Sequence, residues 1–166
     1  MNPWKPALLR LKPFGREFDT DRRVESRSGG GTYIVNLHRY TCTCPDFRQR
    51  RAQRPVGDLG RSCKHLRDIV LSLDEDAFGD ELTRVIFKSP HGPYDRIWFA
   101  PDSDGSVIAL GLKDDGPWWN IFLKDGPDGP YNRYGYHPAE DRWSYDHPPA
   151  NAAAVLDLAR RIPGIN

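Results

Sequence analysis

Two short groups of residues carry the most specific chemistry in the sequence. They are Cys42-Thr43-Cys44 and, after an eighteen-residue spacer, Cys63-Lys64-His65, and they contain all three cysteines of the 166-residue chain. Two close pairs of soft ligands separated by a loop are the pattern by which a chain encloses a tetrahedral Zn²⁺. Four protein ligands leave no open coordination position, so the spacing predicts one structural Zn²⁺ rather than a water-activating ion. Three thiolates and a neutral imidazole around Zn²⁺ leave a formal charge of about −1. Arg39, Arg61, Lys64 and Arg67 lie close enough in sequence to offset that charge or donate to the sulfurs. A catalytic Cys–His pair is disfavoured because no cysteine lies outside the quartet. The plainer alternative makes the cysteines small buried hydrophobes and leaves His65 on a helix surface.

The flanking elements must bring the two pairs together. Residues 22–27 and 32–41 read as strands joined through Gly29-Gly30-Gly31, a run that supplies the positive-φ positions of a hairpin turn. Alternation along the second strand puts Tyr33, Val35 and Leu37 on one face and Ile34, Asn36, His38 and Tyr40 on the other. Extending that register places Cys42 and Cys44 on a common face. Residues 45–53 read as a short helix ended by Pro55. His65 and Cys63 cannot both ligate from within one regular helix, so Cys63 is expected at the helix start and His65 in its first turn. Leu66, Ile69, Val70 and Leu73 then recur at helical spacing as one apolar stripe. The N-terminal segment, with Leu8, Leu9, Leu11, Phe14 and Phe18, reads either as packed on this module or as a loosely held arm.

The pattern C-x-C-x18-C-x-H, following a hairpin and leading into an amphipathic helix, resembles the SWIM-type zinc finger. Cys42, Cys44, Cys63 and His65 carry the resemblance, helped by Pro45-Asp46-Phe47 and Lys64, and it covers roughly residues 20–73. It implies a DNA-binding or protein-binding module. A unit of about fifty residues buries too little apolar surface to be secure alone, which makes a bound ion decisive for folding.

Charge divides the chain. Residues 1–67 carry fifteen Lys/Arg against six Asp/Glu, and residues 68–166 carry nine against seventeen. The basic part suits a polyanion and the acidic part does not. Arg39, Arg48, Arg50, Arg51, Arg54, Arg61, Lys64 and Arg67 are the candidate nucleic-acid contacts, directed at phosphates because no base-reading helix is evident. A solvated loop is the competing account of the same cations.

Beyond residue 76 the sequence predicts strands over 83–88, 95–100, 106–113 and 118–124, with weaker ones over 131–136 and 142–145. A helix is expected over 152–162, capped by Asn151 and stopped by Pro163-Gly164. Residues 82–166 hold four of the five Trp and five of the seven Tyr. These aromatics suit a small β core, a stacking platform for single strands or a protein-docking patch. Trp118 and Trp119 are adjacent on a strand, so one of them must face outward as a docking candidate. Asp95, His137 and Glu140 are the residues from which an enzymatic pocket would have to be built.

The sequence therefore predicts an α+β protein in two parts. Residues 1–76 form a zinc-stabilised ββα, SWIM-like module with an N-terminal arm, and residues 77–166 form a small acidic antiparallel β-sheet domain with a C-terminal helix. The expected function is non-catalytic binding of nucleic acid, or of a protein associated with it. A pure protein–protein adaptor is the alternative. Reduced cysteines, no signal-like N-terminal run and no long apolar stretch point to a cytoplasmic setting, with nucleoid or nuclear association as a variant. No membrane or small-molecule partner is expected.

Overall fold

The computed structural model describes residues 2–6 and 9–165, and Leu8 lies outside the described residues. It combines α-helices with antiparallel sheets, and the chain divides into two compact units. A two-residue strand, β1 (Lys5–Pro6), belongs with residues 89–165, and residues 9–88 form the other unit. The division falls after Lys88 rather than after residue 76, and the N-terminal strand crosses it. Counted by units, the charge asymmetry shrinks: residues 8–88 carry sixteen Lys/Arg against twelve Asp/Glu, the remainder eight against eleven.

The unit of residues 9–88 is built on a three-stranded antiparallel sheet in the order β2 (Arg22–Glu25), β3 (Thr32–Asn36), β4 (Thr41–Cys42). The triple-glycine turn joins the first two strands, with Gly29 and Gly31 at positive φ. The single long strand expected over residues 32–41 does not form. Asn36 stops it: its Oδ1 accepts the Arg39 amide at 2.9 Å and its Nδ2 donates to Asp19 and Asp21. The chain then reverses through Tyr40, at φ 54°, and returns so that Cys42 pairs with Val35. The strict alternation fails with the strand, because Val35, Asn36, Leu37 and Tyr40 are all buried.

Residues 9–18 pack on this turn rather than hanging free. Phe14 stacks on Tyr40 with ring centroids 6.1 Å apart, Phe18 meets Phe14 edge-on, and the Leu11 amide donates to the Gly57 carbonyl at 2.8 Å. Two helices complete the unit, α1 (Lys64–Leu71) and α2 (Glu81–Lys88). α2 replaces the strand expected over residues 83–88. Thr83 and Ile86 are β-branched and favour a strand locally, but Asp80 accepts from the Thr83 amide at 2.7 Å and from its hydroxyl at 3.0 Å. That cap starts a helix whose buried residues Leu82, Thr83, Ile86 and Phe87 follow the 3.6-residue period.

The other unit is a six-stranded antiparallel sheet. Its strands are β5 (Arg96–Pro101), β6 (Val107–Leu112), β7 (Trp119–Lys124), β8 (Tyr131–His137) and β9 (Arg142–Trp143), a meander with β1 added beside β5. Helix α3 (Ala152–Ala159) covers one face. Ile108, Leu110, Leu112, Trp119, Ile121 and Leu123 pack there against Val155, Leu156 and Ala159. Trp4 locks the edge by donating its indole N–H to the Leu158 carbonyl at 2.7 Å. Most of the aromatics expected to build a β core do so: Trp119 and Tyr136 are buried with ring centroids 5.6 Å apart, and Tyr136 also meets Trp143. Trp118 is the half-buried member of its pair. Among the described residues no helix is long and apolar enough to cross a membrane.

The opposite face of the sheet is also close-packed. A Cβ on Gly111 would stand 2.8 Å from the Tyr94 ring. That ring is held by a hydroxyl contact to Ser89 Oγ at 2.7 Å and an edge contact with Phe122. Gly111→Ala is therefore expected to lower the unfolding free energy by about 1–3 kcal/mol in urea titrations, and an unchanged midpoint would show that the ring yields freely.

Candidate metal centre

The four ligand candidates come from three separate pieces of backbone. Cys42 ends β4, Cys44 opens the helical turn that follows it, and Cys63 is the N-cap of α1, leaving His65 in the first turn of that helix. The helix expected over 45–53 is a short helical segment that ends in one π turn over Phe47–Arg51, closed by the Ala52 amide on the Phe47 carbonyl. Cys63 and His65 take the places that helix geometry requires.

All four side chains are buried, and their ligand atoms lie within 4.8 Å of one another. His65 Nδ1 sits 3.7 Å from Cys42 Sγ. A tetrahedral ion with ordinary Zn–S and Zn–N bonds would set sulfur–nitrogen edges of about 3.6 Å and sulfur–sulfur edges of about 3.8 Å. The imidazole Nε2 is buried with no hydrogen-bond partner among the described residues. One ring nitrogen thus has only the Cys42 sulfur beside it and the other has no partner, a donor set compatible with ligation of a metal ion. Tyr33 packs on the ring, with centroids 5.0 Å apart.

Each sulfur accepts one backbone N–H. The Cys44 amide donates to Cys42 Sγ at 3.5 Å, the Phe47 amide to Cys44 Sγ at 3.4 Å, and the Leu66 amide to Cys63 Sγ at 3.5 Å. Such donors favour thiolate over thiol. The Cys63 thiol is pulled down to about 5, first by hydrogen bonding from Cys42 and then by backbone donors, against the opposing effect of burial. Cys42 is pushed up by the same shared bond, and Cys44 is pushed up by burial. Three thiolates confined in this volume would be stabilised by a cation among them. Cys42, Cys44, Cys63 and His65 form a site able to bind a metal ion.

The eight candidate phosphate contacts are dispersed in role. Arg61 is buried and committed: Nε donates to the Tyr40 carbonyl at 2.9 Å, and Nη1 to the Ala52 and Arg54 carbonyls at 2.6 Å each. Its guanidinium lies over the Phe47 ring at 5.1 Å. It is a clamp between the turn preceding β4 and the 45–62 spacer, and it is withdrawn from any external phosphate. Arg51 bonds Asp46 and the Gly60 carbonyl, Arg39 pairs with Asp19 and Asp21, Arg67 donates to the Lys88 carbonyl, and Arg54 is half-buried against Gly60. Arg48 and Lys64 are exposed without an ion pair among the described residues, and Arg50 has only a 3.9 Å approach to Asp46.

In the sheet unit, Trp118 lies edge-on to His137 and beneath the Arg142 guanidinium. Glu140 pairs with Arg142 and approaches His137 at 4.0 Å, whereas Asp95 accepts the Asp114 amide. Two features escaped the sequence reading, the Arg61 clamp and the backbone donors to sulfur. Neither has a signature in residue type.

No family model matches the chain, and no curated protein or solved structure is significantly similar to it.

Arg61→Ala leaves three carbonyls, that of buried Tyr40 among them, without their donor and is expected to cost roughly 2–4 kcal/mol of stability. Arg61→Lys should recover little of it, since one ammonium cannot reproduce the fork. Urea unfolding with amide exchange over residues 52–61 measures both, and full rescue by lysine would show that charge alone matters.

Proposed function

We propose that residues 20–73 are a SWIM-like zinc finger and that the protein is a non-catalytic binding protein whose finger contacts nucleic acid through phosphates. The observation that carries this reading is the buried quartet of Cys42, Cys44, Cys63 and His65 joining a strand end to a helix start. A closed Cys₃His set suits Zn²⁺, whose role would be structural cross-linking. In zinc-finger peptides such binding is worth about 10–16 kcal/mol, enough to decide whether a small unit folds. The phosphate contacts fall to Arg48, Arg50 and Lys64, the exposed cations beside the ligands in sequence. Arg39, Arg51, Arg54, Arg61 and Arg67 contribute by bracing the scaffold.

One observation favours the adaptor alternative, a pure protein–protein role. Most of the basic residues already have partners within their own unit, so the free positive surface is smaller than composition suggests.

Two measurements test the proposal. Purified under reducing conditions, the chain should carry one zinc, and chelation should abolish the ordered signal of residues 9–88 in NMR. Acidification should release the ion, because protons compete for the thiolates and the imidazole. Absence of zinc, or an unaltered spectrum without it, rejects the finger. Binding to a DNA duplex should weaken as salt rises, and replacing Arg48, Arg50 and Lys64 by Gln should lower the slope of log K against log salt by about three. No binding at low salt would transfer the function to a protein partner.

A further inference from the structure

The face of the sheet opposite α3 carries a concavity of about 410 Å³. Lys113, Trp118, Asn120 and Arg133 line it, with His91 and Tyr145 at its edges. No carboxylate is among its lining residues, although Asp/Glu outnumber Lys/Arg in this unit. Neither Lys113 nor Arg133 forms an ion pair among the described residues. The concavity is therefore a positively charged spot inside an acidic unit, and its effect is felt locally. The His91 imidazole is held below its ordinary value by burial and then by the charges of Arg133 and Lys113.

The cation is positioned rather than merely present. Asn120 is buried on β7 and accepts from Arg133 Nη1 at 3.0 Å, while its amide donates to the Gly111 carbonyl at 3.4 Å. Arg133 stands on β8 and pairs with Phe122, two residues from Asn120. Gly135 gives the guanidinium room: a Cβ there would meet Arg133 Nη1 at 2.9 Å and come within 3.5 Å of the Trp118 ring. Fixing a long side chain in advance removes part of the entropic cost of binding an anion. Two aromatic rings complete the wall. Tyr145 is 82% exposed, and both it and Asp146 hold positive φ, at 55° and 53°. A bulky residue in that region is uncommon and costs on the order of 1 kcal/mol, a strain typical of residues held out for contact.

We infer that this concavity binds a phosphorylated nucleoside, with the phosphate on Lys113 and Arg133 and the base against Trp118 and Tyr145. Two unpaired cations match a phosphate monoester, which carries a charge of about −1.5 to −2 near neutrality, better than a carboxylate of one charge. The volume lies in the ordinary range for small-molecule sites, about 300–1,000 Å³. A flat base accounts for the aromatic wall, where stacking is worth about 1–3 kcal/mol per base. The same chemistry is presented by a free mononucleotide and by the 5′-phosphorylated end of a strand. The site uses none of the residues of the metal centre, so this reading and the finger can fail separately.

The test is calorimetric titration of the full chain with AMP, adenosine, inorganic phosphate and short oligothymidylates with and without a 5′-phosphate. AMP should bind with a Kd below about 1 mM. Adenosine and phosphate alone should each bind at least about tenfold more weakly, since each lacks one half of the contacts. Lys113→Gln, at a position with no ion pair to lose, should weaken AMP about fivefold or more, and Tyr145→Ala about threefold or more. If the 5′-phosphorylated oligomer binds more tightly than AMP, the ligand is a strand end; if AMP binds at least as well, it is the free nucleotide. No heat with AMP at several times that concentration, equal binding of AMP and adenosine, or indifference to Lys113→Gln would each overturn the assignment.

Discussion

Three sulfurs and an imidazole confined within 4.8 Å, all away from water, set the condition that the unit of residues 9–88 must meet. Negative charge on more than one of those sulfurs is prohibitive in so small a volume without a cation among them. The surrounding backbone is arranged for thiolates: a strand end, a helical turn and a helix start each turn an N–H toward sulfur. Local structure at these three places thus aims donors at the sulfurs, and the intervening spacer must return Cys63 to the other two. In this chain Arg61 manages the return, holding the Tyr40 carbonyl ahead of the first cysteine pair and the Ala52 and Arg54 carbonyls within the spacer.

The Cys/His cluster was legible because it rests on residue types with few other uses and on a helix geometry that admits one solution for placing Cys63 and His65 together. The sheet meander was legible for a similar reason, since Asp-Gly and Gly-Pro turns punctuate alternating apolar runs. What was hidden lay in side chains acting on the backbone. Asn36 reads as one more strand residue until its amide is seen terminating the strand, and Asp80 reads as linker until it caps α2. In both cases a short polar side chain outweighed β-branched neighbours, because a cap satisfies backbone groups that propensity does not touch. The concavity on the sheet was hidden for another reason. Its residues come from four separated stretches, and only the register of β7 and β8 brings Asn120 and Arg133 together.

Composition overstated the electrostatic contrast along the chain. Arginines crowded in one stretch suggest a polyanion surface, yet the planar fork of arginine is also the side chain best suited to gathering carbonyls and carboxylates inside a small scaffold. Here most of them do the latter, with Asp19, Asp21 and Asp46 as their carboxylate partners, while Asp68, from the region that sequence alone grouped with the other half, pairs with Arg27. Conversely, the acidic unit conceals two uncompensated cations on one face of its sheet. Net charge per segment described neither surface.

The placement of β1 has a consequence for how the chain acquires its shape. Pro6 pairs with Trp98 and Lys5 with Phe99, so the edge strand of the sheet is drawn from the opposite end of the sequence, across the whole intervening unit. On the ribosome that strand is made before residues 9–88 and finds its place only after β5 has appeared. Closing so long a loop is entropically unfavourable, but a polypeptide already knotted into a compact bead spans the gap as a much shorter tether. Compaction of the earlier-made segment would then set the pace at which the later-made sheet seals its border.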